Sequence, residues 1–229
     1  MSFLKLAIPS KGRLTKQTID WFAKNSVIIK TSMSSREYSA KIVGMPKIQL
    51  LLLPAGEIPK ELASGRIDLG VTGQDLVREH IPVWREVLIE LKPLNFGRAD
   101  LVLAVPKFWV DVDSIDDFDA VAINFRRKNG FRLRIATKYH NLMRSYLRRM
   151  GVADYQLVDS QGATEGAIKN NSAEAIADIT SSGKTLEANH LKAIGDQPVL
   201  NSQATLYCSN ASAWTMNKNK VLEDLISKV

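Results

Sequence analysis

The 229 residues carry 31 Lys and Arg against 24 Asp and Glu, a net charge of +7, with 45% hydrophobic residues and one cysteine. That length builds one large core or two small ones. The single Cys208 excludes an internal disulfide and a cysteine-based zinc site, and it fits a reducing compartment. The opening "MSFLKLAIPSKGRL" interrupts its short apolar run with Lys5 and reads as no signal peptide, and no run approaches the roughly 18–20 apolar residues of a membrane span. A cytoplasmic protein without membrane contact is expected.

In chain order, short apolar runs alternate with helix-like stretches, the pattern of an α/β protein. Strands are predicted at 4–9, 47–54, 67–71, 87–91, 100–106, 133–137, 155–158, 175–179 and 204–208. A segment at 38–43 is predicted to pair with 47–54 around Gly44-Met45-Pro46. "IQLLLLP" at 48–54 reads as a strand buried on both faces. Helices are predicted at 14–23, at 58–63 before Gly65, at 141–150 and at 218–229. The third carries Met143, Tyr146, Leu147 and Met150 on one face, and the last carries Val221, Leu222, Leu225, Ile226 and Val229. Gly97 and "KAIGDQP" at 192–198 are possible crossing points between two lobes, predicted as 1–98 plus 192–229 and as 99–191.

The charge is local. Between 121 and 152 there are nine cations and no acid, and the rest of the chain holds 22 cations against 24 acids. Such a patch serves a polyanionic ligand or partner, or is a solvated basic face. Phe125, Phe131, Tyr139 and Tyr146 interleave with it, as stacking residues of an RNA-binding protein would.

The stretch "ADITSSGKTLEANHL" (177–191) ends an apolar strand in Asp178, turns through Ser, Thr and Gly, and starts a helix. Its Gly183-Lys184-Thr185 is the tail of an ATP-binding P-loop, but that loop needs a glycine five residues earlier, where Asp178 stands. A carboxylate there repels phosphate, so the P-loop reading fails. What remains is a glycine-containing turn at a helix N-terminus with hydroxyls at Thr180, Ser181, Ser182 and Thr185 and a cation at Lys184. It is either a phosphate cradle or an ordinary serine-rich cap.

This element resembles the loop with which phosphoribosyltransferases hold 5-phosphoribosyl 1-diphosphate (PRPP). "AIPSKGRL" (7–14), "SGRIDLGVTGQDLV" (64–77), "LNFGRADLVLAVP" (94–106) and "RIATKYHNLMRSY" (134–146) resemble, in the same order, stretches of the ATP phosphoribosyltransferase family. Two departures stand out. His140 replaces the family's usual proline, and "AVAINFRRKNGF" (120–131) is longer and more basic than the usual turn.

The resemblance implies a two-lobed α/β fold of the periplasmic-binding-protein type II kind with a central cleft. It implies transfer of the 5-phosphoribosyl group of PRPP to N1 of the adenine of ATP, with loss of pyrophosphate, as the first step of histidine biosynthesis. The end at Val229 is similar to the short class, which works in a hetero-oligomer with a regulatory subunit related to histidyl-tRNA synthetase. A homodimer of this chain and no nucleic-acid partner are expected. In this reading Thr180, Ser181, Ser182, Gly183, Lys184 and Thr185 hold the 5′-phosphate and Asp178 the ribose hydroxyls. Lys11 and Arg13 pair with substrate phosphates, Lys11, Arg13 and Asp178 being the catalytic set. Asp68, Thr72, Gly73 and Arg98 line the ATP side, with Asp75 beside them or favouring the next helix. Lys138 reaches phosphate, Tyr139 packs rather than stacks on adenine, and Asn141 caps a helix. Magnesium is expected on the substrate phosphates, because it binds phosphate oxygens, keeps most of its water and needs few protein carboxylates; His80, His140 and His190 show no paired spacing, and no metal-ligand cluster is visible in the sequence. Adenine N1 already carries a lone pair, so catalysis needs positioning and charge more than a strong base. The alternative is a non-catalytic protein that binds a small ligand on the same fold, or RNA.

Overall fold

A computed structural model describes residues 3–34, 37–160 and 164–229. In chain order the elements are β1 (Leu4–Pro9), α1 (Arg13–Lys24), β2 (Ile29–Ser34), β3 (Glu37–Ile42), β4 (Ile48–Leu53), α2 (Ile58–Ala63), β5 (Leu69–Gly73), α3 (Gln74–His80), α4 (Trp84–Val87), β6 (Leu88–Pro93) and β7 (Ala99–Pro106). Then follow α5 (Ile115–Asn129), β8 (Leu133–Thr137), α6 (His140–Arg149), β9 (Tyr155–Asp159), α7 (Gly166–Lys169), β10 (Ala175–Thr180), α8 (Lys184–Ala188), β11 (Leu191–Ile194), β12 (Leu200–Ser202), β13 (Ala204–Ser209) and α9 (Met216–Ile226). They form two units, 1–98 with 203–229, and 99–202.

The first unit is built on a seven-stranded mixed sheet in the order β2-β3-β4-β1-β5-β13-β6. β1 runs parallel to β4 and β5, and β13 runs antiparallel to β5 and β6. The strand period of two divides β1 between two layers. Leu4, Leu6 and Ile8 join Phe22 of α1 and Leu225 of α9 on one face, and Ala7 faces Ile58, Leu62 and Val77 of α2 and α3 on the other. Every residue of β5 and β13 is buried, Cys208 among them. β4 is different from the expectation: Gln49 is exposed and Leu51 to Leu53 are half-buried. α1 presents Leu14, Thr18 and Phe22 to the sheet at four-residue intervals, and the Thr18 hydroxyl donates to the Leu14 carbonyl at 2.7 Å.

The second unit carries β11-β7-β10-β8-β9, with β12 also paired to β7. β8, β9 and β10 are parallel, while β7 opposes β10, β11 and β12. Leu101, Leu103, Ile135 and Ala177 pack against Phe118 of α5 and Leu147 of α6. Val102, Ala104, Ala136 and Ile176 pack against Leu186 of α8 on the opposite face. The return to the first unit lies at 202/203, not at 191/192, because β11 and β12 are laddered to β7 and belong to its sheet.

The basic 120–131 stretch is not a turn. It is the last ten residues of the fifteen-residue α5 and its exit. Ser114 accepts from the Asp117 N–H, the Asp117 carboxylate accepts from the Ser114 N–H, and the helix ends on Gly130 at φ 77°.

Candidate phosphate-binding loop and the cations of the first unit

Asp178 is the first residue of β10 beyond its parallel pairing with β8, which covers 175–177. Its backbone stays paired to Val102 of β7, so its position is held while its half-buried carboxylate is left at the strand end. There Oδ1 accepts the Ile179 N–H at 2.8 Å. Two residues on, the Thr180 hydroxyl oxygen accepts the Gly183 N–H at 2.9 Å and closes the turn. Gly183 sits at φ 71°, in the left-handed region, and no heavy atom lies within 4 Å of where a Cβ would be. The backbone conformation, not crowding, asks for glycine there.

The side chains of Ser181, Ser182, Lys184 and Thr185 are exposed. The N–H groups of Ser182, Lys184 and Thr185 find no acceptor among the described residues. α8 is only five residues long, so the donors of this turn are individual amides and hydroxyls rather than the end of a long helix dipole. The loop therefore presents uncapped N–H groups, three hydroxyls and one ammonium around a single carboxylate, a donor set matched to a phosphate monoester beside a diol.

The first unit gathers a second set at the C-terminal ends of β1 and β5. Lys11 and Arg13 are exposed, flanking Gly12 at φ 80°. α1 begins there with no side-chain cap and no acid in its first turn. Thr15, in that same turn, has a buried hydroxyl without a partner among the described residues, and sequence reasoning did not single it out although it stands two positions after Arg13. Thr72 is fully buried and donates its hydroxyl to the Ala55 carbonyl at 2.8 Å, so it orders the β4–α2 turn and has no exposed atom to offer ATP. Gly73 leads into α3, and a Cβ on it would lie 2.3 Å from Oδ1 of buried Asp75.

Asp68 does not join this group. It precedes β5, at the opposite end of the strand from Thr72, on the order of 13 Å away along an extended chain. Its carboxylate is 3% exposed. Oδ2 accepts the Lys5 N–H at 2.7 Å, and Oδ1 pairs with Nζ of Lys218 on α9 at 2.7 Å. It is a structural anchor rather than a ligand of ATP. Arg98 is exposed, and so is Lys138 just beyond β8. Tyr139 is 5% exposed and packs in the core of the second unit. Tyr139, not Asn141, stands at the N-cap of α6.

A family profile described as HisG: ATP phosphoribosyltransferase matches residues 54–229. An ATP phosphoribosyltransferase of Cereibacter sphaeroides is 58% identical over 212 residues, covering 93% of this chain and 90% of that one. One of Mesorhizobium japonicum is 44% identical over 227 residues, covering 99% and 97%. The chain belongs to the ATP phosphoribosyltransferase family. As a member of it, the chain transfers the 5-phosphoribosyl group of PRPP to N1 of the adenine of ATP, the first step of histidine biosynthesis. No finding favours a non-catalytic or RNA-binding protein.

Among solved structures, the ATP phosphoribosyl transferase (HisG:HisZ) complex from Thermotoga maritima superposes with a TM-score of 0.71 at 26% identity, covering 99% of this chain and 98% of that one. The alkanesulfonate-binding protein SsuA of Xanthomonas axonopodis pv. citri, at TM-score 0.52 and 13% identity over all of this chain and 72% of that one, shares the fold alone. The fold is thus the α/β type II fold of periplasmic binding proteins. The family's reaction uses a divalent metal ion. Among the described residues no three His, Cys, Asp or Glu side chains are grouped to hold one, and no helix is long and apolar enough to cross a membrane.

Proposed function

We propose that the turn 180–185 grips the 5′-phosphate of PRPP through its uncapped amides, the hydroxyls of Ser181, Ser182 and Thr185, and Lys184, while Asp178 accepts the ribose hydroxyls. The observation that carries this is the left-handed Gly183 closed onto Thr180, which leaves the N–H groups of Ser182, Lys184 and Thr185 without acceptors. Lys11 and Arg13, with the first-turn amides of α1, take diphosphate or triphosphate oxygens. Arg98 adds a cation, and the Gly73 backbone lines the ATP side. Asp68 and Thr72 support this side only through the framework they hold.

The donor set fits magnesium held mainly by substrate phosphates: one half-buried carboxylate, Asp178, is available on the loop, and hydroxyls and cations make up the rest. Bound there, the ion would neutralise the departing diphosphate. The chain's own residues fix the sugar by its phosphate and its diol, which leaves C1 to the incoming nitrogen. Adenine N1 attacks with its lone pair as the C1–O bond to diphosphate breaks, so no general base is needed. Lys11 and Arg13 stabilise charge that grows on the leaving group.

We further propose that the chain works in the cytoplasm, as a homodimer joined to a regulatory subunit related to histidyl-tRNA synthetase. The support for the second subunit is the likeness to a chain of the ATP phosphoribosyl transferase (HisG:HisZ) complex from Thermotoga maritima.

Asp178→Ala and Gly183→Val test the loop by calorimetric titration with PRPP and magnesium. Asp178→Ala removes a charged acceptor, worth about 1.5–3 kcal/mol, and is expected to weaken PRPP roughly 10- to 150-fold. Gly183→Val places a β-branched residue at positive φ and is expected to abolish most binding while circular dichroism keeps the native spectrum. PRPP affinity unchanged in both variants rejects the site.

A further inference from the structure

The second sheet ends in an open strand. β9 pairs with β8 on one side, and among the described residues nothing pairs with its other side. Beside that edge a groove of about 670 Å³ runs between β9 and α6, floored by Tyr155 and Leu157 and walled by Arg132, Arg144 and Arg148. The floor residues also pack on the core of the unit, so the groove is backed by ordered structure. No acid lines it. Asp154, between the lining residues Ala153 and Tyr155, is shared between Arg126, which donates to it, and Arg132 at 4.0 Å. Arg144 and Arg148 are exposed and form no ion pair among the described residues.

We propose that this groove takes an extended acidic segment of a partner protein, added to β9 as a further strand. The proposal is independent of the nucleotide roles given above. Its geometry follows from two periods. Arg144 and Arg148 are one helical i, i+4 pair, about 6 Å apart along the axis, and every second residue of an extended strand is about 6.6 Å apart. A strand on the β9 edge therefore offers alternate side chains to the two guanidiniums, and an acid–x–acid pattern fills both. Main-chain hydrogen bonds to the open edge supply the grip, and the arginines select sign and register. A second copy of the chain does not supply the segment. Its acid–x–acid runs are 111–113 and 117–119. In the first, Val112 is buried and Asp113 binds Lys192 at 2.7 Å; the second lies in α5 with Phe118 fully buried.

The test uses the full chain and the peptide acetyl-Val-Glu-Val-Glu-Val-Glu-amide, followed by amide chemical shifts. Shifts confined to 144–157, lost on full methylation of the peptide nitrogens and at least tenfold weaker in the Arg144→Glu/Arg148→Glu variant, are the expected result. That variant is expected to keep its turnover of ATP and PRPP, which separates this test from that of the loop. Four results overturn the proposal: no shifts at millimolar peptide, equal binding of the methylated peptide, inorganic triphosphate or a single-stranded RNA binding the same residues in preference to the peptide, or a dimer that the charge reversal turns into a monomer.

Discussion

Asp68 illustrates how a residue's type misleads when its partner is far along the chain. An aspartate inside "GRIDLGVTG" reads as a ligand, yet Lys218, 150 residues later, neutralises it in a site where neither side chain exceeds 12% exposure. Removing one member of such a pair leaves a buried charge without compensation. Lys218→Met is expected to lose about 3–5 kcal/mol in urea unfolding, and adding Asp68→Asn to recover part of it. If Asp68 acted on ATP instead, Asp68→Asn would raise the KM for ATP with little loss of stability. The loop residues were legible for the opposite reason. Asp178 accepts from its neighbour Ile179 and Thr180 from Gly183, all within six positions, so their order in sequence already carries their geometry.

Among the elements, α5 is the longest that the sequence patterns did not predict, although its signals are local. Ser114-Ile-Asp-Asp117 is a capping box, Ile115, Phe118 and Ala122 repeat on one face, and Gly130 ends the helix. The cations at 126–128 interrupt its apolar period in the last turn. Ser114→Ala is expected to cost about 1 kcal/mol of stability by removing the cap. The Asp117 carboxyl lies below its ordinary value of 3.8 because it accepts from the Ser114 hydroxyl and from the N–H groups of Ser114 and Asp113. A carboxyl lowered in the folded state contributes stability that is complete above 3.8 and fades as pH falls through the folded value. The melting-temperature gap between the native chain and Asp117→Ala should thus stay constant from pH 7 to 5 and close toward pH 2. A gap independent of pH would show that the carboxylate adds nothing as a charge. β2, β11 and β12 were also unread. β11 and β12 are short strands whose partner, β7, lies far along the chain, and β2 is an edge strand paired only with its neighbour β3.

At the scale of the molecule, each unit has its own cores on both faces of its own sheet. Phe118 is fully buried in the second unit, and truncating it removes about 3–5 kcal/mol of packing. Hydrogen exchange of Phe118→Ala is expected to quicken in β7, β8 and β10 and to change less in β1, β5 and β13, since separate cores open separately. Uniform acceleration in both sheets would mean one cooperative unit.

By itself, the sequence determined the alternation of strands and helices, the glycine turn after β10 and the family, because all three are written in residues close together in the chain. Only the tertiary structure decided where the chain returns to the first unit, which acid is spoken for, and which strand keeps an open edge. Strand pairing and buried ion pairs join residues up to 150 positions apart, and no local pattern specifies such a partner.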